Sequence, residues 1–245
     1  AIADVVRSPG APVRAHAIVT GPISKEAWHL AGRTKFPGHS ELLAQRLRAK
    51  RWAMFFAGGP LRVVLVTVHQ PLMDVRNTLT IGRVFDAIDL GAEACRQLGI
   101  ARPRIAVCGL NPHAGEAGLL GDEEQRLIEP AIDLAKRHGL EVTGPWPADT
   151  VFNAALPSPE GRPPKHDLVV AMYHDQGLIP VKLLARDSSV NVTLGLPVPR
   201  TSPDHGTAFD IAGRGIAHPG SMTAALEMAI EMATRQHQHT PAHAD

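Results

Sequence analysis

Three histidines stand where a strand or a turn delivers a side chain to the edge of a sheet. His39 follows a Pro-Gly pair, His113 follows an apolar run and an Asn-Pro pair, and His174 follows the apolar run 168–173. A neutral imidazole is a good ligand for Zn, Co, Ni or Fe. Three protein ligands with one open position are the pattern of a catalytic metal site. The three histidines predict such a site, although any one of the chain's 13 histidines taken alone also fits a capping or buried hydrogen-bonded role.

Two cations and an amide follow the last of these histidines. Lys182 lies shortly after His174, and Arg200 lies shortly after Asn191. If the strands that carry them are neighbours, the three side chains converge and suit a phosphate or a carboxylate, because charge-assisted hydrogen bonds are the strong ones. The alternative is a pair of surface cations with no common target.

Two aspartates are the acidic candidates for catalysis, Asp149 and Asp175. Asp175 directly follows His174, so it could orient that imidazole or accept a proton. Asp149 stands in the segment PADT, where an N-cap or a turn residue is equally expected. From spacing alone, a structural role is the stronger interpretation for Asp149.

A dinucleotide site of the standard Rossmann type is not indicated, because no GxGxxG segment follows a strand and no P-loop is present. The Gly- and Ala-rich segment HGTAFDIAG at 205–213 could approach a dinucleotide through its backbone. Alone, it fits a tight turn before a helix equally well.

The elements that must position these residues alternate along the chain. Apolar, β-branched runs predict buried strands, and periods of 3.6 residues predict helices between them. This alternation is typical of an α/β layered fold. The predicted strands cover 16–20, 62–68, 104–110, 167–172 and 190–194, and the predicted helices cover 41–52, 81–98, 123–138 and 222–235.

Composition limits the classes of partner. The formal net charge is +1, from 25 basic and 24 acidic side chains, which predicts neither a nucleic acid nor an anionic membrane as partner. The two cysteines have no metal-type spacing, which favours a reducing compartment. With no visible signal peptide and no apolar stretch of membrane-spanning length, we expect a cytoplasmic protein. The polar tail at 236–245 is predicted to be disordered.

Taken together, the polar segments resemble the 4-hydroxythreonine-4-phosphate dehydrogenase family of pyridoxal phosphate (vitamin B6) biosynthesis. The resemblance runs from about residue 4 to about residue 230. Ser40 replaces the threonine of the family's GHTE and keeps the hydroxyl. The family's opening GDPxGIGPE-like strand and loop are not in this sequence, so we expect an incomplete first lobe. The segments, in the family's order, are GPISKEAW, GHSE, NPHAGE, PADT, MYHDQG, VNVTLGLP and RTSPDHGTAFDIAG.

The resemblance implies an α/β fold like that of isopropylmalate and isocitrate dehydrogenases, with two α/β/α lobes and a cleft between them. Residues 20–185 would form a central lobe with the metal ligands and the dimer interface. Residues 1–19 and 186–235 would form the remainder of the cofactor lobe. A homodimer with its active site at the interface is expected.

The resemblance also implies roles and a reaction. The reaction would be metal-dependent oxidation of 4-phosphohydroxy-L-threonine by NAD or NADP to 2-amino-3-oxo-4-phosphooxybutanoate, which decarboxylates to 3-amino-2-oxopropyl phosphate. Zn, Mg or Co would serve as the divalent ion. Two alternatives stay open: a dehydrogenase for a four-carbon sugar-acid phosphate or a cis-dihydrodiol, and a truncated, non-catalytic metal-binding homologue. The implied residues are His39, His113 and His174 for the metal, Lys182, Asn191 and Arg200 for the substrate, Asp149 and Asp175 as active-site acids, and His205, Gly206, Thr207, Ala208 and Asp210 for the cofactor.

Overall fold

In the computed structural model of this chain, one mixed sheet organises the residues that the structure describes, which are 2–7, 11, 14–32, 35–185 and 187–239, the last three by their backbone alone. The eight strands of this part of the chain follow the order β1-β8-β7-β2-β3-β6-β4-β5. The strands are β1 (Ile18–Val19), β2 (Ala53–Gly58), β3 (Leu61–Leu65), β4 (Arg104–Cys108), β5 (Glu141–Trp146), β6 (Leu168–Ala171), β7 (Val190–Leu194) and β8 (Arg200–Pro203).

Four neighbouring strands, β3, β6, β4 and β5, run parallel, whereas β2 pairs antiparallel with both β3 and β7. Two sides of the sheet are named by the ends of its parallel strands and not by its outermost strands. The side at which β3, β6 and β4 end is the carboxyl edge, and the side at which β4 and β6 begin is the amino edge. Strand β8 runs antiparallel to β7, so its first residue, Arg200, lies opposite Thr193. Thr193 lies opposite Met54, and Met54 lies opposite Leu65 at the end of β3. The pairing register therefore brings Arg200 to the carboxyl edge.

Helices cover both faces of the sheet and create two apolar cores. Helix α5, capped by the Thr80 hydroxyl, which accepts from the backbone N–H of Arg83 at 3.2 Å, packs with α6 and α9 on one face. Helices α7 and α8 pack on the other. The helices are α1 (Ile2–Val5), α2 (Lys25–Leu30), α3 (His39–Arg46), α4 (Val75–Thr78), α5 (Ile81–Gln97), α6 (Glu129–Arg137), α7 (Ala148–Ala154), α8 (His174–Leu184) and α9 (Gly220–His239).

The predicted α/β layered fold is confirmed, with two local corrections. The helix predicted over 41–52 ends at Arg46, because the chain must enter β2, an apolar strand that the pattern did not predict. The segment 174–184, which carries Lys182, is a helix and not a strand, although it contains Gly177 and Pro180. The backbone of Gly177 packs so closely on β3 that a Cβ there would lie 2.7 Å from Leu65. Packing against the sheet thus overrides the weak helix propensity of this segment.

The predicted lobe at 20–185 supplies strands β2 to β6, while β1, β7 and β8 come from the remainder, and all of them share one sheet. The division into lobes therefore stays a prediction. Helix α9 continues to His239, into the segment where the composition predicts a disordered tail, and residues 240–245 lie outside the described residues. None of the described helices is both long and apolar enough to cross a bilayer.

Candidate active site

Polar side chains from separate elements meet in one cavity of about 340 Å³ at the carboxyl edge, which is named the first cavity. Its charged and polar side chains come from α2 and α3, from the loop after β3, from α8, from strands β7 and β8 and from the segment after β8. The predicted substrate residues are therefore brought together. The side chains that matter below are His39, His69, His174, Lys182, Asn191 and Arg200.

Arg200 is the buried cation of the first cavity, with 3% of its surface exposed. Its guanidinium donates to the hydroxyls of Thr193 at 3.2 Å and Thr20 at 2.6 Å. No carboxylate pairs with it among the residues that the structure describes. Burial lowers the pKa of Arg200 to about 10, although the charge of Glu41 opposes this. A buried guanidinium that is held only by neutral hydroxyls retains its charge for an anion.

Hydrogen-bonding atoms without partners are concentrated at this cavity. The described part of the chain has four buried side-chain nitrogen or oxygen atoms that lack a hydrogen-bond partner, and three of them belong to residues that line it: Glu41 Oε2, Asn191 Oδ1 and Arg200 Nε. Because buried polar groups are nearly always paired, such a concentration indicates that a polar ligand completes the site.

Two imidazoles lie close together in the first cavity. The ring centroids of His69 and His174 lie 5.7 Å apart. Nδ1 of His69 lies 3.0 Å from Glu41 Oε1, and Nδ1 of His174 lies 2.7 Å from Asp175 Oδ1. Histidine ligands of metals commonly bond a carboxylate through the second ring nitrogen, which leaves Nε2 for the metal. Two imidazoles bound to one tetrahedral ion place their centroids roughly 5 Å apart, since Zn–N bonds are about 2.0–2.1 Å.

The pair fits two positions of a metal site. Nowhere in the described residues do three His, Cys, Asp or Glu side chains come together closely enough to hold a metal ion. Although burial raises the pKa of Glu41, the hydrogen bond from His69 and the charge of Lys25 hold that pKa below its usual value. A carboxylate that stays ionised keeps the His69 ring oriented.

His39 has different surroundings from the other predicted ligands. Its ring packs edge-on against Trp28 at 5.4 Å. Burial, and then the positive charge of Arg200, lower the pKa of His39, so the imidazole is neutral at neutral pH. A cation beside the ring makes this position better suited to hydrogen bonding with an anion than to binding a second cation. Metal ligation by His39 stays a prediction that its contacts do not support.

Ser40 belongs to the same region, and its hydroxyl does not cap α3. Gly38 is the N-cap, and Ser40 lies in the first turn with 4% of its surface exposed. Its hydroxyl lies 2.9 Å from the hydroxyl of Thr193, which in turn accepts from Arg200. Ser40 thus helps to position the buried guanidinium.

His113 lies outside the set of side chains that line the first cavity. It stands in the segment Pro112–Gly118, where residues 113–117 all have positive φ, including 51° at His113 and 55° at Ala117. Its side chain is 65% exposed, and Nδ1 lies 2.9 Å from Glu116 Oε2. A run of left-handed residues is strained for side chains other than glycine.

A buried carboxylate anchors the start of this left-handed segment. Oε1 of Glu124 accepts from the backbone N–H groups of Leu110 at 2.7 Å and Asn111 at 2.8 Å. The amide of Asn111 donates to Glu124 at 3.0 Å and to Glu123 at 2.8 Å. The turn is therefore fixed to the end of β4 by specific hydrogen bonds.

The two predicted acids have unequal positions. Asp175 is exposed and bonds His174, which supports the role of orienting that imidazole. Asp149 is exposed in the first turn of α7 and is not among the residues that line the first cavity. An acid–base role for Asp149 stays a prediction without geometric support.

The predicted cofactor segment borders a second cavity of about 640 Å³. Half of its lining residues are small or apolar and the other half are charged or carry an imidazole, and its size lies in the usual range for small-molecule sites. Ala208 has a left-handed φ of 48°, which turns the chain at this wall. His205, Gly206 and Ala208 line it, whereas Thr207 and Asp210 are not among its lining residues.

His69 and Glu41 are the site residues that the sequence analysis missed. His69 follows β3 by four residues at the carboxyl edge, the same kind of position that singled out His174. Glu41 is part of the quoted GHSE segment but carried no role there. Its position after a predicted strand could have identified His69 as a candidate from the sequence. Glu41 could not have been identified in this way, because only the fold brings it to His69.

The chain matches the family model described as "Pyridoxal phosphate biosynthetic protein PdxA" over residues 11–229. It is 54% identical over 224 residues to a 4-hydroxythreonine-4-phosphate dehydrogenase from Beijerinckia indica, covering 91% of this chain and 63% of the relative. A D-threonate 4-phosphate dehydrogenase from Cupriavidus necator is 50% identical over 221 residues, covering 90% and 64%. The chain thus spans about 63% of the length of these curated relatives.

Solved structures agree with these matches. The crystal structure of a 4-hydroxythreonine-4-phosphate dehydrogenase from Klebsiella pneumoniae has a TM-score of 0.76 at 48% identity, covering 89% of this chain and 65% of that chain. An isocitrate dehydrogenase from Methylococcus capsulatus shares the fold alone, with a TM-score of 0.53 at 14% identity, covering 91% and 71%. The predicted relation to the fold of isocitrate-type dehydrogenases is confirmed.

Proposed function

Because this chain belongs to the PdxA family, we propose that it oxidises a small phosphorylated hydroxy acid with a nicotinamide cofactor and a divalent metal ion. The observation that carries the proposal is Arg200, a buried guanidinium without a carboxylate partner in the described residues, in a cavity that also holds two neighbouring imidazoles. The activity for which several relatives are named makes 4-phosphohydroxy-L-threonine the first substrate to test.

In this proposal, the cations of the first cavity bind the phosphate and carboxylate of the substrate. Arg200 supplies two-pronged donation from a buried position, and Lys182 supplies a movable ammonium. Asn191 accepts or donates through an amide whose Oδ1 has no partner in the described residues. Neutral His39 beside Arg200 donates a further hydrogen bond. Together these groups fix the carbinol carbon in one orientation, which is the main use of remote binding groups in catalysis.

His69 and His174 would hold the divalent ion, Zn, Mg or Co, through their Nε2 atoms, with Glu41 and Asp175 orienting the rings. When bound, such an ion lowers the pKa of a hydroxyl that it contacts and stabilises negative charge on the oxygen during decarboxylation. NAD, or NADP, would bind in the second cavity and accept the hydride, while the hydroxyl proton leaves to solvent. The expected product, 2-amino-3-oxo-4-phosphooxybutanoate, loses carbon dioxide to give 3-amino-2-oxopropyl phosphate.

A third metal ligand would come from a second copy of this chain. His113 is the candidate, because it is exposed and lies away from the first cavity of its own chain. Exposed apolar side chains flank both surfaces: Met73, 85% exposed, follows His69, and Leu119, 83% exposed, follows His113. A second copy of the chain could cover these side chains on forming the contact. A homodimer with a shared active site is therefore part of the proposal.

The test is the formation of reduced nicotinamide, followed by absorbance, with and without added Zn, Mg or Co. Three substrates are compared: 4-phosphohydroxy-L-threonine, D-threonate 4-phosphate and an unphosphorylated cis-dihydrodiol. We expect turnover of a phosphorylated substrate that stops on chelation. D-threonate 4-phosphate as the better substrate would favour the second family activity. Metal binding without turnover of any of the three would favour a non-catalytic homologue and defeat the proposal.

A further inference from the structure

The two cavities share a wall that contains an ion pair. Four residues line both cavities, namely Lys182, Asp204, His205 and Gly206. Within this wall, Nζ of Lys182 lies 3.2 Å from Oδ2 of Asp204. The sequence analysis assigned Lys182 to the substrate and gave Asp204 no role. An ion pair at this place can respond to the contents of either cavity.

The two members of the pair differ in freedom of movement. The side chain of Asp204 is only 12% exposed. Ser189 Oγ donates to its carboxylate at 3.3 Å, and its own backbone N–H donates to Ser221 Oγ at 3.3 Å. Ser221 is itself fixed, because its hydroxyl donates to the Ser189 carbonyl at 2.6 Å. Lys182 is 52% exposed and has a long flexible stem, so its ammonium can turn while the carboxylate stays in place.

An anion in the first cavity competes with Asp204 for this ammonium. Arg200 offers a buried positive charge to an anion in this cavity, and Lys182 lines the same cavity. When the ammonium turns towards the anion, the carboxylate of Asp204 loses its counter-charge. The wall between the cavities then becomes more negative, and the effect is strong because the carboxylate is mostly buried.

We propose that Asp204 is the electrostatic partner of the oxidised nicotinamide ring, and that substrate binding uncovers its charge by drawing Lys182 away. The proposal rests on the function proposed above. Hydride transfer requires the ring and the reacting carbon to be nearly in contact, so the ring must lie where the two cavities meet. The oxidised ring carries a positive charge and the reduced ring carries none. An unpaired carboxylate at the junction therefore favours binding of the oxidised cofactor. Bound substrate thus raises the affinity for the cofactor form that can oxidise the substrate.

The test compares the affinities of NAD⁺ and NADH by calorimetry, with and without inorganic phosphate as the anion in the first cavity. Both cofactors carry the same pyrophosphate, so competition by phosphate for that part cancels in the ratio of their dissociation constants. We expect phosphate to shift the ratio in favour of NAD⁺ by about three- to tenfold, as expected for one partly screened charge at several ångströms.

Two variants give opposite signatures. Asp204→Asn should lower the preference for NAD⁺ and abolish its dependence on phosphate. Lys182→Met should leave the carboxylate permanently uncovered, so the preference for NAD⁺ is high and again independent of phosphate. Thermal melting checks that both variants fold.

The outcomes separate this inference from the proposed function. If both cofactors bind to the unsubstituted protein and their ratio does not respond to phosphate, the role of Asp204 is overturned while the proposed function stands. The same conclusion follows if both variants shift the ratio in one direction. If neither cofactor binds, the proposed function fails and this inference fails with it.

Discussion

The two edges of the sheet use arginine in opposite ways. At the amino edge, Arg104 donates two side-chain hydrogen bonds and one backbone hydrogen bond to Asp167, each 2.9 Å long. At the carboxyl edge, the more deeply buried Arg200 bonds only hydroxyls of threonine. One guanidinium is neutralised within the fold, whereas the other keeps its charge for a ligand. The comparison indicates that the amino edge is built for stability and that the carboxyl edge accepts a loss of stability for binding.

The largest expected effect is at Arg200. Arg200→Met should lower kcat/KM for the phosphorylated substrate by about a hundredfold or more, because a charge-assisted hydrogen bond contributes about 1.5–3 kcal/mol and two are lost. The melting temperature should stay the same or rise, since a buried charge without a counter-charge has been removed. Steady-state kinetics and thermal unfolding measure the two effects.

Arg104→Met is the matched control for that substitution, with the opposite expectation. It should lower the melting temperature and leave KM unaltered. An Arg200→Met variant that unfolds like the control, or that loses as much activity on an unphosphorylated substrate, would contradict the division between the edges.

The second-largest expected effect is a loss of stability at the amino edge. Asp167→Ala removes the acceptor for the Arg104 side chain and for its backbone N–H, so it should cost about 1–2 kcal/mol of unfolding free energy. The value is moderate because Arg104 is 39% exposed and water partly replaces the lost acceptor. Urea unfolding measures it. A change below a few tenths of a kcal/mol would show that the amino edge does not depend on this pair.

The same pair gives a prediction for pH. Hydrogen bonds from Arg104 hold the pKa of Asp167 below its usual value, although burial opposes them. The folded protein therefore binds this proton less tightly than the unfolded chain does. The stabilisation is complete above the unfolded pKa of about 3.9 and is lost as pH falls through the lower folded pKa.

Urea unfolding of the unsubstituted protein and of Asp167→Asn tests this sign. Their difference in stability should be largest near neutral pH and should shrink on acidification towards about pH 3. A difference that grows on acidification would show the sign to be wrong.

The sequence predicts the layers of this fold better than its site, for a physical reason. Apolar runs such as 104–108 and 190–194 identify buried strands because burial acts on each residue locally. Strand β2 is apolar throughout but directly follows the helix predicted over 41–52 and was not predicted, and the short strand β8 has no apolar run. The register that brings Arg200 opposite Thr193 depends on long-range pairing. The convergence of Lys182, Asn191 and Arg200 was predicted on the condition that neighbouring strands carry them. Strands β7 and β8 meet that condition for Asn191 and Arg200, whereas Lys182 reaches the same cavity from helix α8.

The metal ligands show more clearly what one sequence cannot predict. The segment resemblance selected His39, His113 and His174, whereas the described contacts pair His174 with His69. Spacing along the chain cannot show which imidazole is hydrogen-bonded to a carboxylate, because Glu41 and His69 are 28 residues apart. A side chain that acts from a second copy of the chain, as we propose for His113, is still harder to predict from one sequence.

The smallest effect tests strain at the carboxyl edge directly. Ala117 is exposed and has a φ of 55°, so its methyl group contributes little packing while its backbone occupies the left-handed region. Ala117→Gly should relieve about 1–2 kcal/mol of left-handed strain, less the greater entropy of glycine in the unfolded chain, for a net gain of roughly 0.5 kcal/mol. The control is Ala224→Gly in the regular helix α9, which should lose about 0.5–1 kcal/mol. Urea unfolding of both variants measures the two changes in unfolding free energy. Equal losses would mean that the left-handed turn is not strained, and the contrast between a relaxed amino edge and a strained carboxyl edge would then rest on Arg200 alone.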